Sequence, residues 1–289
     1  MKVIVTGANG MLGSSIVKFF KNKYDVIGYD KKGLDVTDIG QIIEVINDED
    51  PNIIIHTAAN TDAEYCERNP EKAYLINTSG TENIIKSIAE KNSDITMVFI
   101  SSTGVYGNLK DSPYIESDEV NPTSVHHKSK YFGEQSIYRL RKYLIIRTGW
   151  LFGGRIENKK NFVYNRYLEA VKKDLIYSDF QQKGNPTYTK DLCDQIDYLL
   201  HAKLFGLFNA VGIGVATRYE YVQEIISCFG LSCTIERVSH KNFQRVAPVP
   251  LNESAYNHKL ELAGIDIMRP WKESLLEYIS LIKEQIATI

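Results

Sequence analysis

The stretch TGANGMLG near the amino terminus sets Gly7, Gly10 and Gly13 at G-x-x-G-x-x-G spacing, after an apolar β-rich run and before a helical pattern. This arrangement suits a pyrophosphate. The first glycine permits a tight turn, the second lets backbone approach the phosphates, and the third allows close helix packing. The helix that opens there offers free N–H groups and the positive end of its dipole. Asn9, Met11 and Leu12 share the turn and join the glycines as cofactor-binding candidates. Asp30 ends the second strand pattern, 17 residues past Gly13. Its carboxylate suits the ribose diol of NAD(H) and would repel the 2′-phosphate of NADP(H). Lys31 and Lys32 could offset that repulsion, but a solvated turn is the simpler reading of both, so NAD(H) leads. In LDVTD, Asp35 and Val36 stand where adenine would lie, and Asp35 could equally cap the next helix.

Other chemistries find little support. Cys66, Cys193, Cys228 and Cys233 form no CxxC pair, and no histidine lies at zinc spacing from them. Reduced, mostly buried thiols are expected. The adjacent His126 and His127 would point about 100° apart on a helix and make a poor chelating pair. A net charge of −2 without a basic block argues against nucleic acid or an anionic membrane as partner. No apolar run is long enough to span a bilayer, and the amino terminus does not read as a signal peptide, so the chain is read as cytoplasmic.

The elements that must carry these residues read as α/β. Strand patterns cover 2–7, 24–30, 51–60 (with a loop), 95–103 and 143–150; helical patterns cover 14–23, 39–50, 71–92 and 129–141. Continuous apolar strands alternating with helices imply a doubly wound parallel Rossmann sheet, covered on both faces. Residues 1–150 would form this dinucleotide-binding domain. Residues 151–289 would form mainly a smaller C-terminal substrate-binding lobe, with segments near 187–212 returning to the sheet. Helices are expected there at 161–174, 218–230 and 271–286, and a late strand at 206–212.

With VTGANGMLG, LDVTD, HTAANTDAEYCERNPEKAYLIN, EVNPTSVHHKSKYFGE, RTGWLFG, QKGNPTYTKDL and RPWKESL in place, the chain resembles the extended short-chain dehydrogenase/reductases. Among these it is most similar to the dTDP-4-dehydrorhamnose reductase family. The resemblance implies an NAD(P)H-dependent reductase acting on a nucleotide-linked 4-keto-6-deoxyhexose in polysaccharide biosynthesis, and leaves a homodimer open. It also assigns roles. Ala58, Ala59 and Asn60 would pass the cofactor's ribose and phosphates, and Asn77 would stabilise the sheet and site. Ser102 would hydrogen-bond the substrate carbonyl, and Lys130 would hold the nicotinamide ribose. Arg147, Thr148 and Trp150 would lie near nicotinamide and sugar. Thr103, Asn161, Phe162, Pro186 and Thr187 would line the sugar-nucleotide cleft.

Departures from the family pattern fall in the same region. His126 stands for the catalytic tyrosine and His127 for the glycine after it. Thr103 and Gly104 replace an aspartate–tyrosine pair, Arg218 a tryptophan, and Val249 an arginine. Hydride transfer to a carbonyl needs a proton donor at the developing alkoxide. Imidazole titrates near 6.5, and Lys130, one turn away, would lower that further. Three readings follow. His126 is the donor, directly or through water; Ser102 and solvent carry the proton; or the site binds without turnover. STGVYG also resembles epimerases and dehydratases of this fold, and a non-catalytic regulatory homologue is the remaining class.

Overall fold

The computed structural model describes residues 1–91 and 94–287. Strands β1 (Lys2–Thr6), β2 (Asp25–Tyr29), β3 (Ile53–His56), β4 (Thr96–Ser102) and β5 (Tyr143–Thr148) belong to one sheet. Short strands follow: β6 (Leu151–Phe152), β7 (Leu175–Asp179), β8 (Lys183–Gly184) and β9 (Thr187–Tyr188). Then β10 (Gly206–Asn209) returns to the main sheet beside β5. The sheet order is β2-β1-β3-β4-β5-β10, and every pairing is parallel. The chain leaves β1 for β2 on one side and resumes at β3 on the other. The crevice at the carboxyl ends of β1 and β3 is therefore the switch point where such sheets take ligands.

Both faces are covered. Val3, Val5, Ile53, Ile55, Val98 and Ile146 pack on one side with Leu12 and Ile16 of α1 (Met11–Phe20). The opposite face holds Ile4, Ile54, Met97, Phe99 and Ile145. Against them pack Ile42 and Ile46 of α2 (Ile39–Glu49) and residues of the helices after β3. Those are α3 (Ala63–Arg68), α4 (Pro70–Tyr74), α5 (Gly80–Lys91) and α6 (Val125–Ile137). The carboxyl-terminal portion includes α7 (Phe162–Lys172) and α8 (Thr189–His201), then β11 (Ala216–Thr217), α9 (Arg218–Phe229) and β12 (Thr234–Val238). It ends with α10 (His258–Leu262) and α11 (Trp271–Ala287). An aromatic cluster of Trp150, Phe152, Tyr188, Tyr221, Trp271 and Tyr278 forms its core.

Several elements differ from the sequence expectation, which had no counterpart for α3, β7, β12 or α10. The single helix expected over 71–92, whose last residue lies outside the described residues, is α4, a π-helical turn over Leu75–Ser79, and α5. The wider turn brings Asn77 inward, and Gly80 sits where a Cβ would meet Val36 Cγ2 at 2.7 Å. The helix expected at 129–141 starts instead at Val125, because Ser124 caps it by accepting from the His127 amide at 3.3 Å. Helix α8 had no counterpart in the reading. Its stripe Leu192, Cys193, Ile196 and Leu199 is interrupted in sequence by Asp191, Asp194 and Asp197, and it shows only against α1 and the sheet. The cysteines are all free, as expected, with Cys66 and Cys193 buried. Among the described residues no helix is long and apolar enough to cross a membrane, and no acidic, histidine or cysteine cluster could hold a metal.

Candidate active site

The dinucleotide end is built on contacts that exclude side chains. Gly7 has φ +70°, and a Cβ there would lie 2.7 Å from the Ala58 amide nitrogen; one on Gly13 would collide with the Gly7 carbonyl. Strand ends β1 and β3 thereby approach as closely as backbone allows, and the first amides of α1 remain free of intrahelical acceptors. A pyrophosphate fits this cradle. Leu12 offers only its amide, because its side chain is in the core. Asn9 Nδ2 donates to Asp30 at 2.7 Å, and the other Asp30 oxygen accepts from the Lys32 and Gly33 amides, so the acid is fixed at the end of β2. Lys31 is exposed. Asp38, not Asp35, caps α2; Asp35 accepts from the Thr37 amide and hydroxyl, which hold its carboxyl below the usual range. Val36 is buried.

At the other end, register places Ser102 of β4 opposite Thr148 of β5. Ser102 Oγ accepts from the Gly104 amide at 3.1 Å, which leaves its proton free to donate. The Thr148 hydroxyl is buried without a partner among the described residues, an unmet group suited to a ligand at the strand ends.

Helix α6 brings His126 and Lys130 to the same region. His126 Nδ1 lies 3.1 Å from the Asn60 carbonyl. A carbonyl only accepts, so Nδ1 carries the hydrogen and Nε2 presents a lone pair. Burial, then His127, then Lys130 push this imidazole well below its ordinary pKa, so it is neutral at pH 7. Asn77 holds the arrangement from beneath. Its Oδ1 accepts from the Asn60 amide at 2.7 Å, and its Nδ2 donates to the Asn60 carbonyl and to Ser129 Oγ. Asn77 is fully buried and acts through Asn60 rather than by touching a ligand. Lys130 is 4% exposed, with Nζ 4.0 Å from the Phe99 ring centroid. Burial lowers its pKa to about 7 although Glu134 opposes this. Glu134 is itself bound by Arg147 at 2.5 Å and by Ser101.

His127 points into the protein. Its Nδ1 lies 3.1 Å from Ser124 Oγ, and its ring fills the space a Cβ on Gly104 would need. The missing side chain at 104 and the ring of His127 thus share one space. Tyr131 packs with Val105, Tyr106 and Tyr114, away from the face of 126 and 130, as its rotation along the helix requires.

The cleft wall is partly as expected. Trp150, with φ 47°, and Phe162 flank the Arg218 guanidinium, which lies 3.4 Å from the indole centroid. Trp150 Nε1 donates to Glu253 at 2.8 Å. Four expected lining residues instead stand behind the wall. Asn161 is fully buried, capping α7 and donating to Tyr278. Thr187 donates to Asn185 and accepts from the Gly212 amide. Pro186 is buried with its carbonyl against Gly212, and Thr103 is buried against Gly149. The reading missed Glu253. Its sequence context is an irregular loop, and only the fold brings it to the indole.

Comparison with known proteins agrees with the fold. The chain is 32% identical over 284 residues to the spore coat polysaccharide biosynthesis protein SpsK of Bacillus subtilis, covering 96% of each. A dTDP-4-dehydrorhamnose reductase structure from Clostridium acetobutylicum shares 34% identity with TM-score 0.93, over 98% of this chain and 100% of that one. The same enzyme from Bacillus anthracis, in complex with NADP, gives 32% and 0.91 over 96% and 98%. A family model described as RmlD substrate binding domain matches residues 1–284. The chain belongs to that family.

Proposed function

We propose that the protein is an NAD(P)H-dependent reductase of a nucleotide-linked 4-keto-6-deoxyhexose. The observation that carries this is the glycine cradle at the end of β1 together with the paired ends of β4 and β5, where Ser102 stands opposite Thr148 and its unpartnered hydroxyl. Relatives named dTDP-4-dehydrorhamnose reductase, one holding NADP, support the same reading. When bound, the dinucleotide supplies hydride. Gly7, Gly10 and Gly13 with the first amides of α1 hold its pyrophosphate, and Asp30 its adenosine ribose, which favours NADH over NADPH. Ser102 donates to the carbonyl oxygen. His126, neutral with its Nδ1 hydrogen on Asn60, has no proton at Nε2 to give, so it orients the oxygen's water or sugar hydroxyl as an acceptor. Lys130 is the group whose pKa near 7 suits proton delivery at neutral pH.

Mixing the protein with NADH or NADPH and dTDP-, UDP-, GDP- and CDP-linked 4-keto-6-deoxyhexoses tests this by loss of nicotinamide absorbance. Oxidation with one sugar is expected; none with any sugar sinks the reading. A second reading, an epimerase or dehydratase that keeps its dinucleotide, is favoured by the neutral imidazole, a base rather than an acid. Copurified NAD with no net consumption would select it. The lost tyrosine also leaves a binding subunit as an outcome, marked by nucleotide binding without turnover even in His126→Tyr.

A further inference from the structure

Arg218, the first residue of α9, is half-buried between Trp150 and Phe162. Its one side-chain hydrogen bond is long, Nε to Gln182 Oε1 at 3.5 Å, and among the described residues no carboxylate forms an ion pair with it. Burial lowers its pKa to about 10, with Glu253 opposing and Arg245 reinforcing the shift, so it stays a cation at neutral pH. A guanidinium held only to support the fold is normally forked onto a carboxylate or carbonyls. Here stacking on the indole stabilises the charge and uses none of its N–H donors. Donors that no protein carboxylate occupies, on a cation held between two rings, fit an anion.

The position fits as well. Trp150, on which the guanidinium stacks, follows by two residues the end of β5, where Thr148 pairs with Ser102. Gln182, which contacts Arg218, also donates to the Pro250 carbonyl at 3.2 Å.

We propose that Arg218 binds the diphosphate of the nucleotide-sugar substrate, forking onto phosphate oxygens while stacked on Trp150. The assignment rests on the nucleotide-sugar reading above. Calorimetric titration of the wild-type chain, Arg218→Gln and Arg218→Lys with dTDP and UDP tests it. The glutamine variant should bind roughly 10- to 100-fold more weakly, as loss of a charge-assisted pair implies, and the lysine variant should fall between. NADH binding should be the same in all three, which also reports folding. Equal diphosphate binding by wild type and both variants overturns the assignment, and so does a wild type that binds neither diphosphate. If instead Arg218→Gln loses NADH binding too, the lysine variant decides alone: wild-type diphosphate affinity there overturns the proposal. Failure of the reductase reading is seen separately, as absent cofactor oxidation in the wild type.

Discussion

At the scale of single residues, the state of His126 decides which group can carry a proton. A tyrosine there, beside a lysine, would be an acid over a wide pH range, whereas a buried imidazole donating to Asn60 is neutral and offers only a lone pair. On the proposed reading Lys130 is then the acid. Its pKa is lowered, so it is protonated below about 7 and loses its proton as pH rises through that value. Turnover should therefore fall on the alkaline side with a midpoint near 7, read from kcat against pH. His126→Tyr should move that limb upward and raise kcat at pH 8. A wild-type profile flat to pH 9 would remove Lys130 as donor, and unchanged turnover in His126→Tyr would show that position 126 does not govern the proton.

Between elements, α6 and the turn after β4 share one ring. Gly104→Ala should destabilise by about 1–3 kcal/mol through overpacking against His127. Adding His127→Ala should recover part of that loss, so the double-mutant cycle in urea should show favourable coupling. Independent, additive effects would mean that the ring and the turn do not share the space. The π-helical turn makes a second link. Asn77→Ala leaves the Asn60 amide without its partner and its carbonyl with one donor fewer, and should cost about 1–3 kcal/mol. It should also lower turnover by loosening the loop that holds His126. Activity kept at wild-type level would show that His126 is held without Asn77.

For the whole molecule, a charged network joins α8, on the sheet, to α11 of the carboxyl-terminal portion. Arg269 binds Asp191 at 2.5 Å and Glu277 at 2.7 Å, Lys190 also reaches Glu277, and Ser274 donates to Asp191. Asp191 is buried, so Arg269→Met leaves a carboxylate with one partner fewer. Because the Arg269 side chain is 36% exposed, the expected loss is about 2–3 kcal/mol rather than that of a fully buried pair. A urea midpoint within error of wild type would show that the two parts do not depend on this network. Dinucleotide at 100 times its Kd should add about 2.7 kcal/mol to the unfolding free energy if it binds only the folded chain.

The order of apolar strands and helices, the glycine turn and Asp30 were legible from sequence, because each is a local pattern of period or spacing. So was the i, i+4 placement of His126 and Lys130 on one helix. Tertiary structure decided the rest. Asn161 and Thr187 lie in stretches that match the cleft in sequence, yet their side-chain polar atoms are taken by a cap and a turn. Glu253 reaches Trp150 across 103 residues, and Arg218 meets Phe162 and Gln182 only where β8 and β11 pair. Protonation was decided there too. Neighbouring charge is visible in a sequence, but the desolvation that neutralises His126 and brings Lys130 toward 7 exists only once the chain has closed around them.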